Sequence, residues 1–425
     1  MSIDLKTMAI AGAKTFADVW QFDDYWKRSN TFHSFLRFVD AAERRWGKGD
    51  PALQPMQDLR TTLTDANAAY FRPKIGNDYV WADDYGWCGL ACMAAYDYLL
   101  SIGNRQRADE YAGLAGDCCD QMLKIGFDAT DTATPVQHGC GNTSPDRKRR
   151  DGGHGTRNTV TNVNLLLLAN RLYLLNGFPN YQDIVYKQAS WFAEWFTQSY
   201  ASLDNGPYLR TLSGPVSLVH ERPMAKKTYV EDDYPGWERG WTWSGDQGLL
   251  LMALATIIRQ PMVPPGFAPQ VFKDAFVKLA AGVETLLFGG TGQVLHEPPF
   301  NSSFGEQYAG DYVGGRGVLL RYASEPIVTE ALGRPLRPAC IVATMQAVWD
   351  SRSRHENPAW NKPDVFDSSW DTQGAPAFNQ RFVQAWGNGE PGLSQWQLGS
   401  NILYGVMQAN GLDALTAAIR LETLV

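Results

Sequence analysis

The sequence predicts an all-α fold, a double ring of six inner and six outer helices whose loops gather around one open mouth. Three observations carry this. Helical periodicity recurs along all 425 residues while strand alternation hardly appears. The helical stretches alternate between ones that are apolar nearly all round and ones with a clear polar side, as buried and half-buried helices do. The connections 126–157, 201–242, 288–311 and 351–395 are too long for simple helix hairpins and supply the loops of a site.

In chain order the spacing places helices at roughly 15–28, 31–46, 56–71, 85–101, 105–124, 158–176, 181–200, 245–259, 269–287, 312–324, 337–350 and 396–423. The stretch from Asn162 to Leu175 is apolar on every side and belongs inside, whereas 105–124 and 181–200 keep a polar face and belong outside. The last helix is expected to split at Gly411, because glycine is a poor helix former. No linker divides the chain, so residues 1–425 are expected to form one domain.

Composition narrows the function. Hydrophobic residues make up 44% and charged residues 20%, enough for a large core and against disorder. A net charge of -7 argues against binding a phosphate backbone, and the one basic run, Arg147 to Arg150, reads as a solvated loop face, so no nucleic-acid partner is expected. The 15 Trp, 18 Tyr and 19 Phe exceed the needs of a core and suit stacking on carbohydrate. Cys88, Cys92, Cys118, Cys119, Cys140 and Cys340 form no CxxC pair and read as mostly buried free thiols; Cys88 and Cys92 share a helix face, but no second pair or histidine completes a metal set. No metal or cofactor is expected. No stretch reaches the ~18 apolar residues of a membrane span. The start lacks a leader pattern, which fits a cytoplasmic protein or one whose leader has been removed, and a monomer is expected.

The most informative segment is Trp81-Ala82-Asp83-Asp84-Tyr85-Gly86-Trp87. Adjacent acids repel, and a chain keeps them together where two carboxyls must divide into an ionised nucleophile and a protonated acid, as in a retaining glycosidase. The plainer alternative is that one Asp caps the helix beginning near Tyr85 and the other favours its dipole. Two further pairs compete. Asp23-Asp24 falls in the predicted first helix beside Lys27 and Arg28 and reads as a solvated face, while Asp232-Asp233 lies in a long aromatic loop leading to Trp241 and Trp243. None is the DDxxD magnesium motif, because Lys27, Trp87 and Trp237 stand where its third carboxylate would be. The six histidines show no metal-hydrolase spacing, no G-x-S-x-G elbow is present, and the Gly-rich runs carry no P-loop lysine.

Four landmarks in order carry a family resemblance. They are the Asp83-Asp84 pair between aromatics; Asp151-Gly152-Gly153-His154-Gly155-Thr156-Arg157-Asn158 before a Leu-rich helix; Trp241-Thr242-Trp243-Ser244-Gly245-Asp246-Gln247-Gly248; and Gly315-Arg316-Gly317-Val318-Leu319-Leu320-Arg321-Tyr322. Together they resemble glycoside hydrolase family 76, the α-1,6-mannanase family, from about residue 30 onward. The resemblance implies an (α/α)6 barrel, retention of anomeric configuration, no metal, an oligosaccharide or polysaccharide substrate, Asp83 as nucleophile and Asp84 as acid/base. With the stacking chemistry of the tryptophans and the loop placement of His154, Asp232 and Asp233, it makes Trp81, Tyr85, Trp87, His154, Asn158, Asp232, Asp233, Trp241, Trp243, Gln247 and Arg316 the candidate sugar contacts. Two departures fall in the loops expected to line the cleft: His154-Gly155 replaces a tryptophan pair, and Ser244-Gly245-Asp246 is an insertion. Hydrolysis is therefore better supported than the particular sugar. A sugar epimerase on the same helical ring and a catalytically silent glycan-binding protein are the alternatives; the first would need histidine bases, which are scarce here.

Overall fold

A computed structural model describes residues 4–127, 139–152, 155, 157–196, 209–213, 216–219, 221, 243–260, 262–288, 293–297, 314–352, 362, 364–367, 370 and 401–423. The helices are α1 (Leu5–Ala17), α2 (Tyr25–Trp46), α3 (Gln54–Phe71), α4 (Ala82–Ser101), α5 (Arg105–Gly126), α6 (Pro145–Asp151), α7 (Thr159–Asn176), α8 (Pro179–Phe196), α9 (Ser244–Arg259), α10 (Pro269–Gly282), α11 (Gly315–Ala323), α12 (Pro326–Leu332), α13 (Pro338–Ser351) and α14 (Asn401–Thr423). Their starts follow local chemistry. Asp4, Asp24, Asn104, Ser144 and Asn158 each accept a first-turn N–H, and Pro269 and Pro338 open helices where their missing donor costs nothing.

Contacts close a ring. α2 packs on α4, α4 on α7, α7 on α9, α9 on α11, α11 on α14, and α14 back on α2. Outside them, α3 lies on α2, α5 on α4, α8 on α7, α10 on α9, and α13 and α1 on α14. This is the expected (α/α)6 barrel. The inner helices are buried on nearly every side; Leu165, Leu166 and Leu168 of α7 have no exposure, and each contributes about 1.5–3 kcal/mol. Close approach of α4 to α7 requires glycine at Gly86, where a Cβ would lie 2.7 Å from that of Asn164. One buried polar cluster inside the ring is held by charge and hydrogen bonds: Arg321 meets Asp413 at 3.2 Å and Asn30 Oδ1 at 2.6 Å, and Ser34 donates to Asp413 at 2.8 Å.

Four expectations need correction. The chain at 15–28 is not one helix: α1 ends at Ala17, and Asp24 begins α2 by accepting the Lys27 N–H at 3.1 Å. The apolar residues Phe16, Val19 and Phe22 continue the helical pattern across this break because all three enter the core. α14 runs unbroken through Gly411, whose bare Cα is occupied by the Phe366 ring. The basic run from Arg147 to Arg150 is part of helix α6, held by Asp146, by Asp78 and by the Ile125 carbonyl. An antiparallel hairpin, β1 (Leu209–Ser213) and β2 (Val216–Val219), falls in a predicted loop. All six cysteines are buried free thiols.

Candidate active site

The Asp83-Asp84 pair occupies the first turn of α4, three residues earlier than the expected helix start. Trp81 is the N-cap in extended conformation, and Asp84 Oδ2 accepts its N–H at 3.1 Å. The capping alternative is thus true of Asp84 and does not exclude chemistry. Asp83 Oδ1 accepts the Asp84 N–H at 2.9 Å, and its Oδ2 accepts from Asn142 Nδ2 at 2.7 Å. Asn142 Oδ1 in turn accepts the Asp83 N–H at 3.3 Å, and the Ala82 N–H donates to the Thr143 carbonyl at 3.0 Å. The strand of chain before α6 is therefore clamped along the start of α4.

Environment divides the pair. Burial pushes the Asp84 carboxyl well above the usual carboxylate range, and the Asp83 charge pushes it further. Asp24 adds to the rise; the Trp81 N–H and the Lys27 ammonium oppose it. Asp84 thus favours its protonated form beside Asp83, which accepts hydrogen bonds on both oxygens.

An aromatic wall adjoins the pair. Trp87, one turn into α4, packs on Trp26 of α2 with ring centres 6.0 Å apart and meets Trp243 edge-on at 6.3 Å. Trp87 is 3% exposed and Trp243 7%, so both pack between helices. Trp81 remains half-buried, with the Arg147 guanidinium 5.4 Å from its ring centre.

Several other candidates have structural work. Tyr85 is fully buried, its hydroxyl donating to the Lys74 carbonyl and accepting from the Gly76 N–H. Asn158 caps α7 and donates to Glu221 at 2.7 Å. Gln247 pins β2, accepting the Val219 N–H at 2.8 Å and donating to the carbonyls of Val219 and Trp243 at 2.9 Å. Arg316 stacks over Trp370 at 4.4 Å and is buried. All four make contacts within the frame of the barrel. His154, Asp232, Asp233 and Trp241 lie outside the described residues.

Sequence reasoning missed Asn142, Trp26, Lys27 and a second acidic group. Asn142 stands just before a Ser-Pro helix start, a signal that marks a cap but not a catalytic partner. The acidic group gathers at the starts of α7, α9 and α11. Glu221 accepts from Asn158; Asp246, with no exposure, is raised well above the carboxylate range by burial and by Glu221; Glu297 is pushed up to about 7 by burial against the opposing hydrogen bonds of Ser244. Nothing in local sequence joins three acids so far apart.

No family model matches the chain and no curated protein matches it. Solved structures do. The chain is similar to the GH76A α-1,6-mannanase of Salegentibacter sp. HEL1_6 at 13% identity and TM-score 0.54, covering 98% of this chain and 99% of that one. It is similar to the family 76 mannosidase Bt3792 of Bacteroides thetaiotaomicron at 13% identity and TM-score 0.56, over 98% of each chain. Dfg5 of Chaetomium thermophilum, solved with glucosamine, matches at 12% identity and TM-score 0.57, over 94% of this chain and 81% of that one. A variant of the Salegentibacter enzyme described as inactive has two adjacent aspartates replaced and holds an α-1,6-linked mannotetrose. The resemblance to glycoside hydrolase family 76 thus extends over nearly the whole chain at the level of fold.

Proposed function

We propose that this protein is a retaining glycoside hydrolase acting on an α-linked, mannose-containing glycan, with α-1,6-mannan as the leading substrate. The observation that carries the reading is the Asp83-Asp84 pair at the start of an inner helix, with Asp84 biased toward its protonated form and Asp83 oriented by Asn142. In the first step Asp83 attacks the anomeric carbon while Asp84 gives its proton to the departing glycosidic oxygen. In the second, ionised Asp84 takes a proton from water, the water attacks the same carbon, and Asp83 leaves. The neighbours support this through a shared fold, through mannanase and mannosidase activities, and through the one inactivated by loss of adjacent aspartates. Trp81 is the described candidate for stacking on a sugar face, being only half-buried.

A glycan-binding protein without turnover is the second reading, because Asp84 also caps its helix and has a structural reason to persist. Incubating the purified protein with α-1,6-mannan, mannobioses and aryl α-mannosides, and following product anomers by NMR, separates the two. Release of α-configured product supports the proposal; binding without any release supports the alternative.

A further inference from the structure

We infer that Lys27 and Asp24, at the start of α2, are positioning residues for the Asp83-Asp84 pair: the buried ammonium supplies the fixed positive charge beside which the pair ionises, and Asp24 holds that ammonium in place. The inference rests on the reading of the pair given above. Its basis is the burial of a lysine. Lys27 is 2% exposed, a position lysine avoids unless its charge is paired. Asp24 grips it twice, accepting the Lys27 N–H at 3.1 Å on one oxygen and the ammonium at 3.2 Å on the other. The ammonium sits 4.5 Å from the Trp26 ring centre, and Trp26 packs on Trp87, one turn beyond the pair.

Among the described residues, three charged groups bear most on Asp84. From its own helix comes Asp83; from α2 come Asp24, which disfavours ionisation, and Lys27, which favours it. α7 has no titratable residue from Thr159 to Asn170, and α5 brings the Cys118 thiol against Cys88, a turn deeper. Arg147 of α6 lies over Trp81. Among the described residues, Lys27 is thus the cation whose charge opposes burial and Asp83 in setting when Asp84 ionises. The proposed reaction needs Asp84 protonated in one step and ionised in the next, so this balance matters to both.

The test is the pH profile of kcat/KM. Lys27→Met keeps the stem and removes the charge; both limbs are expected to move up, by about one pH unit. Asp24→Asn keeps a capping acceptor but loses the opposing negative charge, and the basic limb is expected to move down. Lys27→Arg should restore the wild-type profile. A merely structural role would lower thermal stability without displacing the limbs. If the wild type hydrolyses none of the mannosides, the proposed function fails separately. The inference is then read from the 13C-carboxyl titration of Asp84, assigned by its loss in Asp84→Asn, with the same opposite displacements. Should Lys27→Met not fold, Lys27→Gln, which keeps a polar end without the charge, carries the test through the same upward shift. Unmoved limbs and an unmoved titration in folded variants would overturn the inference.

Discussion

Asp83 and Asn142, 59 residues apart, hold each other through two hydrogen bonds, Asn142 Nδ2 to Asp83 Oδ2 at 2.7 Å and Asp83 N–H to Asn142 Oδ1 at 3.3 Å. A side chain that both donates to a carboxylate and accepts from the same residue's backbone fixes the carboxylate's direction as well as its position. In the proposed role of Asp83 as nucleophile that direction matters, since small misplacements of a nucleophile cost large factors in rate.

Asn142→Ala should therefore lower kcat by about 10–100-fold on an aryl mannoside while leaving KM within a few-fold. Kinetics with thermal melts alongside would check it. An unchanged kcat in the folded variant would show that Asn142 only ties the loop to α4.

Asp83→Asn and Asp84→Asn should each lower turnover by about three orders of magnitude or more with folding intact, because each removes a group that the proposed mechanism uses in the transition state. Asp23→Asn should change little: Asp23 is exposed and its partners are Lys74 and Tyr70, away from the pair. Near wild-type turnover in both pair variants would end the assignment.

The same burial has a consequence for stability. The folded-state pKa of Asp84 lies above its ordinary 3.8, so the folded protein binds the proton more tightly than the unfolded chain. The stability this group contributes is present at acid pH and is lost as pH rises from about 4 through its folded-state value. Asp84→Asn has no proton to lose, so its melting temperature should gain on the wild type between pH 4 and pH 8. A constant offset across that range would show that Asp84 is not held toward protonation.

Much of this architecture was legible in the sequence, because inner helices such as α7 are apolar on all sides and outer ones such as α5 are not. Boundaries failed where tertiary contact overruled local preference. Phe16, Val19 and Phe22 kept helical spacing across a true break, and Gly411 marked a break that Phe366 fills. At the site, Asp83 and Asp84 were visible as neighbours in sequence. Asn142, Lys27, Glu221 and Glu297 were not, since each reaches its partner only when helices distant in the chain close the ring. Gln247 and Asn158 carried the family pattern, but their hydrogen bonds go to β2, to the α9 start and to Glu221.

Gly411→Ala tests one of those contacts. The added methyl meets the Phe366 ring, which is 1% exposed and cannot yield freely, so a loss of about 1–3 kcal/mol is expected in urea unfolding, despite alanine's better helix propensity. A stabilised variant would mean that Phe366 has room to move.

The central claim is the division of labour between Asp83 and Asp84, and trapping the covalent intermediate tests it most directly. A fluorinated mannosyl donor with a good leaving group should label the protein once, and peptide mass spectrometry should place the label on Asp83. A label on Asp84 would reverse the roles, and turnover to an inverted product with no labelled enzyme would contradict the double-displacement account altogether.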